Sequence, residues 1–258
     1  MYKLWENGTP YFDVSFNQPE PALTPYLTHE KKRGCVIVCP GGGYAGRAPH
    51  EGEPIAKMIN EAGIHSFVLS YRVAPYKHPV MLEDVTRAVR YVRYHASEFN
   101  IDPDKIGVLG FSAGGHLVTM AAEHFDYGKN GDVIDAVSSR PNAGILCYPV
   151  VSLKKYGHDG TKENLLGKNP DPKLVELLSG EFSVRDDTPP MFIWHTMEDQ
   201  GVHVNNSLHL CSALKEKNIP TELHVFPYGL HGLGLAESNE NVAQWTKLLQ
   251  NWLRMYGF

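Results

Sequence analysis

The five residues Gly110-Phe111-Ser112-Ala113-Gly114 fit the pattern GxSxG. A five-residue pattern is short enough to arise by chance, so its setting decides what it means. The apolar run Ile106-Gly107-Val108-Leu109 leads into it, and a helical stretch starting near Gly115 leads out. A serine on such a strand–turn–helix elbow sits on a strained backbone that points its hydroxyl at a substrate carbonyl. The turn is tight enough for neighbouring Cβ atoms to collide, which gives Gly110 and Gly114 a steric role. Ser112 is therefore the candidate nucleophile.

A serine hydroxyl needs a base to take its proton. The partners of an elbow serine follow in the order acid, then histidine. Of 13 histidines, His231 lies after the last strand, in the glycine-rich run Tyr228-Gly-Leu-His-Gly-Leu-Gly, where an imidazole can reach over the edge of a sheet. His224 falls inside a strand, His116 on the helix after the serine, and His203 and His209 before the last strand. Those four read as structural or solvated. The acid should follow the strand Met191-Phe-Ile-Trp-His, and Glu198 and Asp199 both do. Asp199 gives the loop more room to bring a carboxylate under His231, so it is the favoured acid. Its task is to accept the second imidazole N–H and stabilise the imidazolium.

Pro40-Gly41-Gly42-Gly43-Tyr44 directly follows an apolar strand at 35–39. A phosphate loop would end in Gly-Lys-Ser/Thr, and here Tyr44-Ala45-Gly46 follows instead. Gly41, Gly43 and Gly46 do fit the dinucleotide pattern GxGxxG. The hydrolytic reading explains more, because glycines let backbone N–H groups approach a developing oxyanion closely. The predicted donors are Gly42 or Gly43 together with the N–H of Ala113. No Cys/His cluster has zinc spacing, so no metal or other cofactor is expected.

Positioning these residues requires a sheet. From residue 34 onward, short apolar runs alternate with amphipathic stretches, the pattern of a mostly parallel sheet with helices on both faces. Strands are predicted at 35–39, 64–69, 105–109, 143–148, 191–195 and 222–226. Helices are predicted at 54–62, along Met81, Val85, Ala88, Val89, Val92, Ala96 and Phe99, at about 114–124, at about 205–217, and along Val242, Trp245, Leu248, Leu249, Trp252 and Tyr256. The first 30 residues read as an irregular lead-in with at most an edge strand. Residues 149–190 are too long for a plain connection and carry a predicted helix at 174–178. They read as a small lid-like insertion in one domain spanning 1–258.

The net charge of −5 and the absence of a dense Lys/Arg block argue against a nucleic-acid binder. The one basic cluster, Lys31-Lys32-Arg33, reads as a solvated strand entry. No apolar run approaches the roughly 20 residues needed to cross a bilayer, and no signal-like segment is visible at the start, so a cytoplasmic location is expected. Four cysteines are too few for a disulfide framework. Cys35 and Cys39 read as core residues.

Taken together, several stretches resemble the acetylxylan-esterase-like branch of the α/β hydrolases, close to carbohydrate esterases that remove acetyl and sometimes feruloyl groups. They are VIVCPGGGY, HEGEPIAKMINEAGI, YRVAP with HPVMLEDVTRAVRYVR, IDPDKIGVLGFSAGGHL, WHTMED and ELHVFPYGLHGLGLA, spread over residues 34–236. The resemblance implies an α/β-hydrolase fold, a Ser112–His231–Asp199 triad and oxyanion donors at Gly42, Gly43 and Ala113. The implied substrate is a small-molecule ester or an acetylated oligosaccharide. Two departures stand out. The HGGG of lipase-like relatives is PGGG here, so Pro40 replaces a histidine that buttresses the loop there. The family's D-x-x-V-P acid loop reads Asp199-Gln-Gly-Val-His203 here. A general short-chain carboxylesterase or lipase, a feruloyl esterase and a serine peptidase are the alternative activities. A homo-oligomer, paired through an edge strand or the Trp-bearing last helix, stays open.

Overall fold

Residues 35–39 are apolar at every position because both faces of their strand are covered. Side chains alternate between the faces of a strand. Cys35, Ile37 and Cys39 accordingly enter one core, and Val36 and Val38 enter the other. The computed structural model describes residues 1–29 and 33–258. Lys31 and Lys32 of the basic cluster lie outside the described residues, and Arg33 opens a strand with its side chain exposed.

The strands are β1 (Tyr2–Lys3), β2 (Ala22–Tyr26), β3 (Arg33–Cys39), β4 (His65–Ser70), β5 (Ile101–Phe111), β6 (Ala143–Cys147), β7 (Met191–Thr196) and β8 (Thr221–Phe226). They form one sheet in the order β1-β2-β4-β3-β5-β6-β7-β8. The pairs β1–β2 and β2–β4 are antiparallel, and every pairing from β4 through β3 to β8 is parallel. The parallel strands therefore end at one edge, which is where an open α/β sheet places its site.

The helices are α1 (Glu53–Glu61), α2 (Val80–Tyr94), α3 (Ala113–Glu123), α4 (Asp159–Leu166), α5 (Pro172–Leu177), α6 (Asn205–Glu216), α7 (Glu240–Ala243) and α8 (Trp245–Met255). Apolar residues of α2, α3 and α6 fill the core on one face of the sheet, and those of α1 and α8 fill the other. The Trp-bearing face of α8 packs into its own core, with Trp245 0% and Trp252 2% exposed. That helix face is thus spent inside the chain, not offered for pairing.

Two buried ionisable features lie in the framework. Arg72, just after β4, lies against Asp84 on α2, donating from Nε to Oδ2 (3.0 Å) and from Nη2 to Oδ1 (2.6 Å), with both side chains fully buried. At the end of α3, Glu123 is buried and neither carboxyl oxygen has a hydrogen-bond partner among the described residues. Burial, and then repulsion from Glu181, holds its carboxyl well above the usual range.

The sequence pattern missed some elements. The lead-in carries two antiparallel strands, of which β1 is only two residues long. The 149–190 stretch contains α4 as well as the expected helix. α4 is capped by a histidine, His158, whose Nδ1 accepts from the Thr161 N–H (3.1 Å), in place of the usual Ser, Thr, Asp or Asn. The last helical segment is two helices, α7 and α8, that meet at Gln244. Among the described residues, no helix is long and apolar enough to cross a membrane.

Candidate active site

Ser112 follows the last residue of β5 and caps α3, with φ 51° and ψ −119°. A non-glycine residue in that region is strained and is held there by its surroundings. The flanking glycines supply the room. A Cβ on Gly110 would lie 2.1 Å from the Gly114 carbonyl oxygen, and one on Gly114 would lie 2.2 Å from the Cys39 oxygen. The elbow is further fixed by the Ser112 N–H, which donates to Cys147 O (3.0 Å), and by the Val150 N–H, which donates to Ser112 O (3.0 Å).

The loops after β7 and β8 bring two more side chains to the elbow. His231 Nε2 lies 2.8 Å from Ser112 Oγ, and His231 Nδ1 lies 2.7 Å from Asp199 Oδ2. A carboxylate can only accept, so Nδ1 carries the proton and Nε2 is free to accept the serine proton. The other Asp199 oxygen, Oδ1, accepts from the N–H groups of Gly201 and Val202, both at 2.8 Å. Burial opposes ionisation of Asp199, but hydrogen bonds from His195 and His231 and from the Val202 amide outweigh it. The carboxyl is held far below its usual range. Glu198, the alternative acid, instead accepts from the Gly229 N–H (2.8 Å) and so steadies the chain ahead of His231.

The PGGG loop passes directly beside the elbow, since a Cβ on Gly41 would come within 3.1 Å of Ser112 Cβ. Gly42 has φ 132°, a backbone that favours glycine, and a Cβ there would lie 2.5 Å from Gly46 O. The amides of Gly42, Gly43 and Ala113 donate no hydrogen bond among the described residues, whereas the Gly41 N–H donates to Glu51 Oε2 (2.7 Å). The three amides expected as oxyanion donors are thus the ones left free beside Ser112.

Several residues that support this arrangement carried no signal of their role in the sequence. Tyr71 Oη donates to Pro40 O (2.5 Å), and Asn164 Nδ2 on α4 donates to Gly43 O (2.9 Å). His116 Nε2 faces the Leu178 carbonyl (2.8 Å), so it carries the proton, and Nδ1 accepts from Tyr44 Oη (2.9 Å). Burial pushes the His116 imidazole down to about 4, in keeping with a neutral buttress under the PGGG loop. His195 is fully buried. It donates from Nε2 to Val202 O (2.9 Å) and accepts at Nδ1 from Ser207 Oγ (2.8 Å). Its Nε2 also lies 3.3 Å from Asp199 Oδ2, the same carboxylate oxygen that His231 meets. His203 and His209 pack against Tyr156, and His224 bonds Glu222 (2.7 Å). None of these three histidines takes part in the Ser112 constellation.

With this geometry in view, the chain can be compared with known proteins. The BD-FAE family profile matches residues 24–214. Endo-1,4-beta-xylanase B of Butyrivibrio fibrisolvens is 41% identical over 251 residues, covering 94% of this chain and 39% of that protein. The acetylxylan esterase of Xylanibacter ruminicola is 33% identical over 235 residues, covering 89% of this chain and 47% of that protein. The chain spans less than half the length of these two relatives. The crystal structure of an acetyl ester-xyloside bifunctional hydrolase from Caldicellulosiruptor lactoaceticus superposes with a TM-score of 0.97 at 51% identity. That alignment covers 100% of this chain and 96% of the other.

Proposed function

The chain belongs to the BD-FAE family and has the α/β-hydrolase fold, and from that premise we propose that it is a serine esterase removing acetyl groups from acetylated xylo-oligosaccharides or other acetylated sugars. The observation that carries the reading is the unbroken hydrogen-bonded chain from Ser112 Oγ through His231 to Asp199, with links of 2.8 and 2.7 Å. The substrate class is supported by the names of two relatives, one an acetylxylan esterase and the other an acetyl ester-xyloside hydrolase.

The reaction runs in two steps. Ser112 Oγ attacks the ester carbonyl carbon while its proton passes to His231 Nε2. Asp199 stabilises the imidazolium without taking the proton. The carbonyl oxygen becomes an oxyanion, held by the amides of Ala113 and of Gly42 or Gly43. The tetrahedral intermediate collapses, the C–O bond to the sugar breaks, and His231 returns its proton to the leaving alkoxide. Water then attacks the acetyl-serine by the same route and releases acetate.

A short acyl group suits the site. The 149–190 stretch holds helices of only eight and six residues, too little to wall a fatty-acid tunnel. Its pegging to the PGGG loop through Asn164 supports reading it as a small lid-like insertion, and the single continuous sheet supports reading 1–258 as one domain. Four free cysteines fit a reducing compartment, which favours a cytoplasmic location. The test is turnover of an aryl acetate by the wild type and by Ser112→Ala, followed by a panel of acetylated xylo-oligosaccharides, acetylated monosaccharides, methyl ferulate and aryl esters of rising acyl length. Acetyl esters should be the best substrates and the variant inactive. Undiminished turnover by Ser112→Ala overturns the reading, and preference for long acyl chains or for ferulate redirects it.

A further inference from the structure

We infer that Glu51 and Tyr148 form a bridge that fixes the oxyanion loop relative to the histidine loop, which makes Glu51 a positioning residue for the ester hydrolysis proposed above; the inference rests on that reading of the site. The two halves of the machinery arise far apart. The PGGG loop leaves β3 and the histidine loop leaves β8, and β5, β6 and β7 lie between those strands in the sheet. The sheet sets their spacing only through four successive strand pairings. Hydrolysis needs the relation to be much finer, because the base and the oxyanion donors act on the same carbonyl at the same instant.

Glu51 is 3% exposed and stands between them. Its Oε2 accepts from the Gly41 N–H (2.7 Å), and its Oε1 accepts from Tyr148 Oη (2.7 Å). The Tyr148 oxygen in turn accepts from the Gly234 N–H (2.9 Å), three residues beyond His231. The Tyr148 ring also packs against the imidazole of His231, with centroids 5.0 Å apart at 69°. One continuous path therefore runs from the peptide ahead of the free Gly42 and Gly43 amides to the loop that aims Nε2 at Ser112. Tyr148 follows β6 directly, so the path is tied to the middle of the sheet. Pro40, at the head of the PGGG loop, has no side-chain donor with which to fix it. Glu51 supplies a tie from outside the loop.

A buried carboxylate that only held the fold together would lower stability and leave the folded enzyme's turnover intact. A positioning role makes a different set of demands. A misplacement of about 1 Å in a catalytic arrangement can cost about 100-fold in rate. Loss of an interaction made only in the transition state lowers kcat and leaves KM nearly unchanged. Groups acting as one unit give non-additive effects when both are removed.

The experiment uses the full chain as wild type, Glu51→Ala, Glu51→Gln, Tyr148→Phe, the double variant Glu51→Gln/Tyr148→Phe, and Ser112→Ala. Folded, competent sites are counted by titration with a serine-reactive phosphonate, and kcat and KM are measured on an aryl acetate. Glu51→Ala should lose about 100-fold in kcat per titrated site with KM nearly unchanged. Glu51→Gln keeps an acceptor for the Gly41 N–H and should recover most of that loss. Tyr148→Phe should lower kcat, and the double variant should be no worse than its poorer parent. Should Glu51→Ala fail to fold, Tyr148→Phe and the double variant carry the test. Wild-type kcat in folded Glu51→Ala or in folded Tyr148→Phe, or losses that simply multiply in the double variant, overturns the bridge. A wild type that the phosphonate does not label, together with an active Ser112→Ala, sinks the esterase reading itself and the bridge with it.

Discussion

Replacing Asp199 by asparagine changes two heavy atoms' chemistry and almost no volume, so its effect can be worked from hydrogen bonding alone. Oδ1 faces two donors, the N–H groups of Gly201 and Val202, at 2.8 Å each. An asparagine must keep its oxygen there, because turning the amide would set its NH2 against both. The NH2 then occupies the place of Oδ2, 2.7 Å from His231 Nδ1. Two donors cannot face each other, so Nδ1 gives up its proton and the imidazole carries it on Nε2, toward Ser112. In that tautomer it cannot accept the serine proton. The wrong tautomer in such a triad typically lowers kcat by about 10⁴-fold, equivalent to about 5 kcal/mol of barrier. The assay is steady-state hydrolysis of an aryl acetate by Asp199→Asn, with thermal denaturation to confirm that the fold is intact. A folded Asp199→Asn that turns over within about tenfold of wild type would mean that the tautomer argument, and with it the role given to Asp199, is wrong.

Other expectations follow from burial and packing. The raised Glu123 carboxyl gives a stability term that is fully present below the ordinary glutamate value of 4.5 and is progressively lost as pH rises toward the folded-state value. Glu123→Gln should therefore gain stability over wild type at pH 7 to 8 and lose that advantage near pH 4, as read by chemical denaturation across pH; a pH-independent difference would refute it. Asp84→Asn leaves the Arg72 guanidinium buried without its counter-charge and should cost about 3–5 kcal/mol in the same measurement. Gly114→Ala forces a Cβ to 2.2 Å from backbone, so the variant should fail to accumulate as folded protein or lose phosphonate labelling; a stable, fully labelled variant would contradict the packing described for the elbow.

The serine elbow could be read in the chain because its signal is local. A strand, a glycine-flanked serine and a helix are contiguous at residues 106–123, and the glycines are dictated by contacts between near neighbours. The Gly-rich setting of His231 was legible for the same reason. The choice between Glu198 and Asp199 rested only on loop reach, and the structure separates them by what each carboxylate meets: an imidazole for Asp199 and the Gly229 amide for Glu198. Glu51, Tyr148 and His195 could not be assigned roles, because their meaning depends on contacts between distant segments. Glu51 and Tyr148 are 97 positions apart, and Tyr148 and Gly234 are 86 apart. α4 escaped notice because it is short and is capped by a histidine, so neither periodicity nor a conventional start marked it. β1 escaped because two residues are too few to show alternation.

The side-chain amide of Asn164 rests on the carbonyl of Gly43, so a helix from the 149–190 stretch stands as a strut under the PGGG loop. Anyone lengthening that stretch to admit a bulkier alcohol or acid inherits this strut. Residues can be added before or after α4, but the amide must come back to the same carbonyl, or a new donor must be designed in its place. A graft that widens the site without restoring that contact is expected to slow turnover, which kcat on an aryl acetate would read.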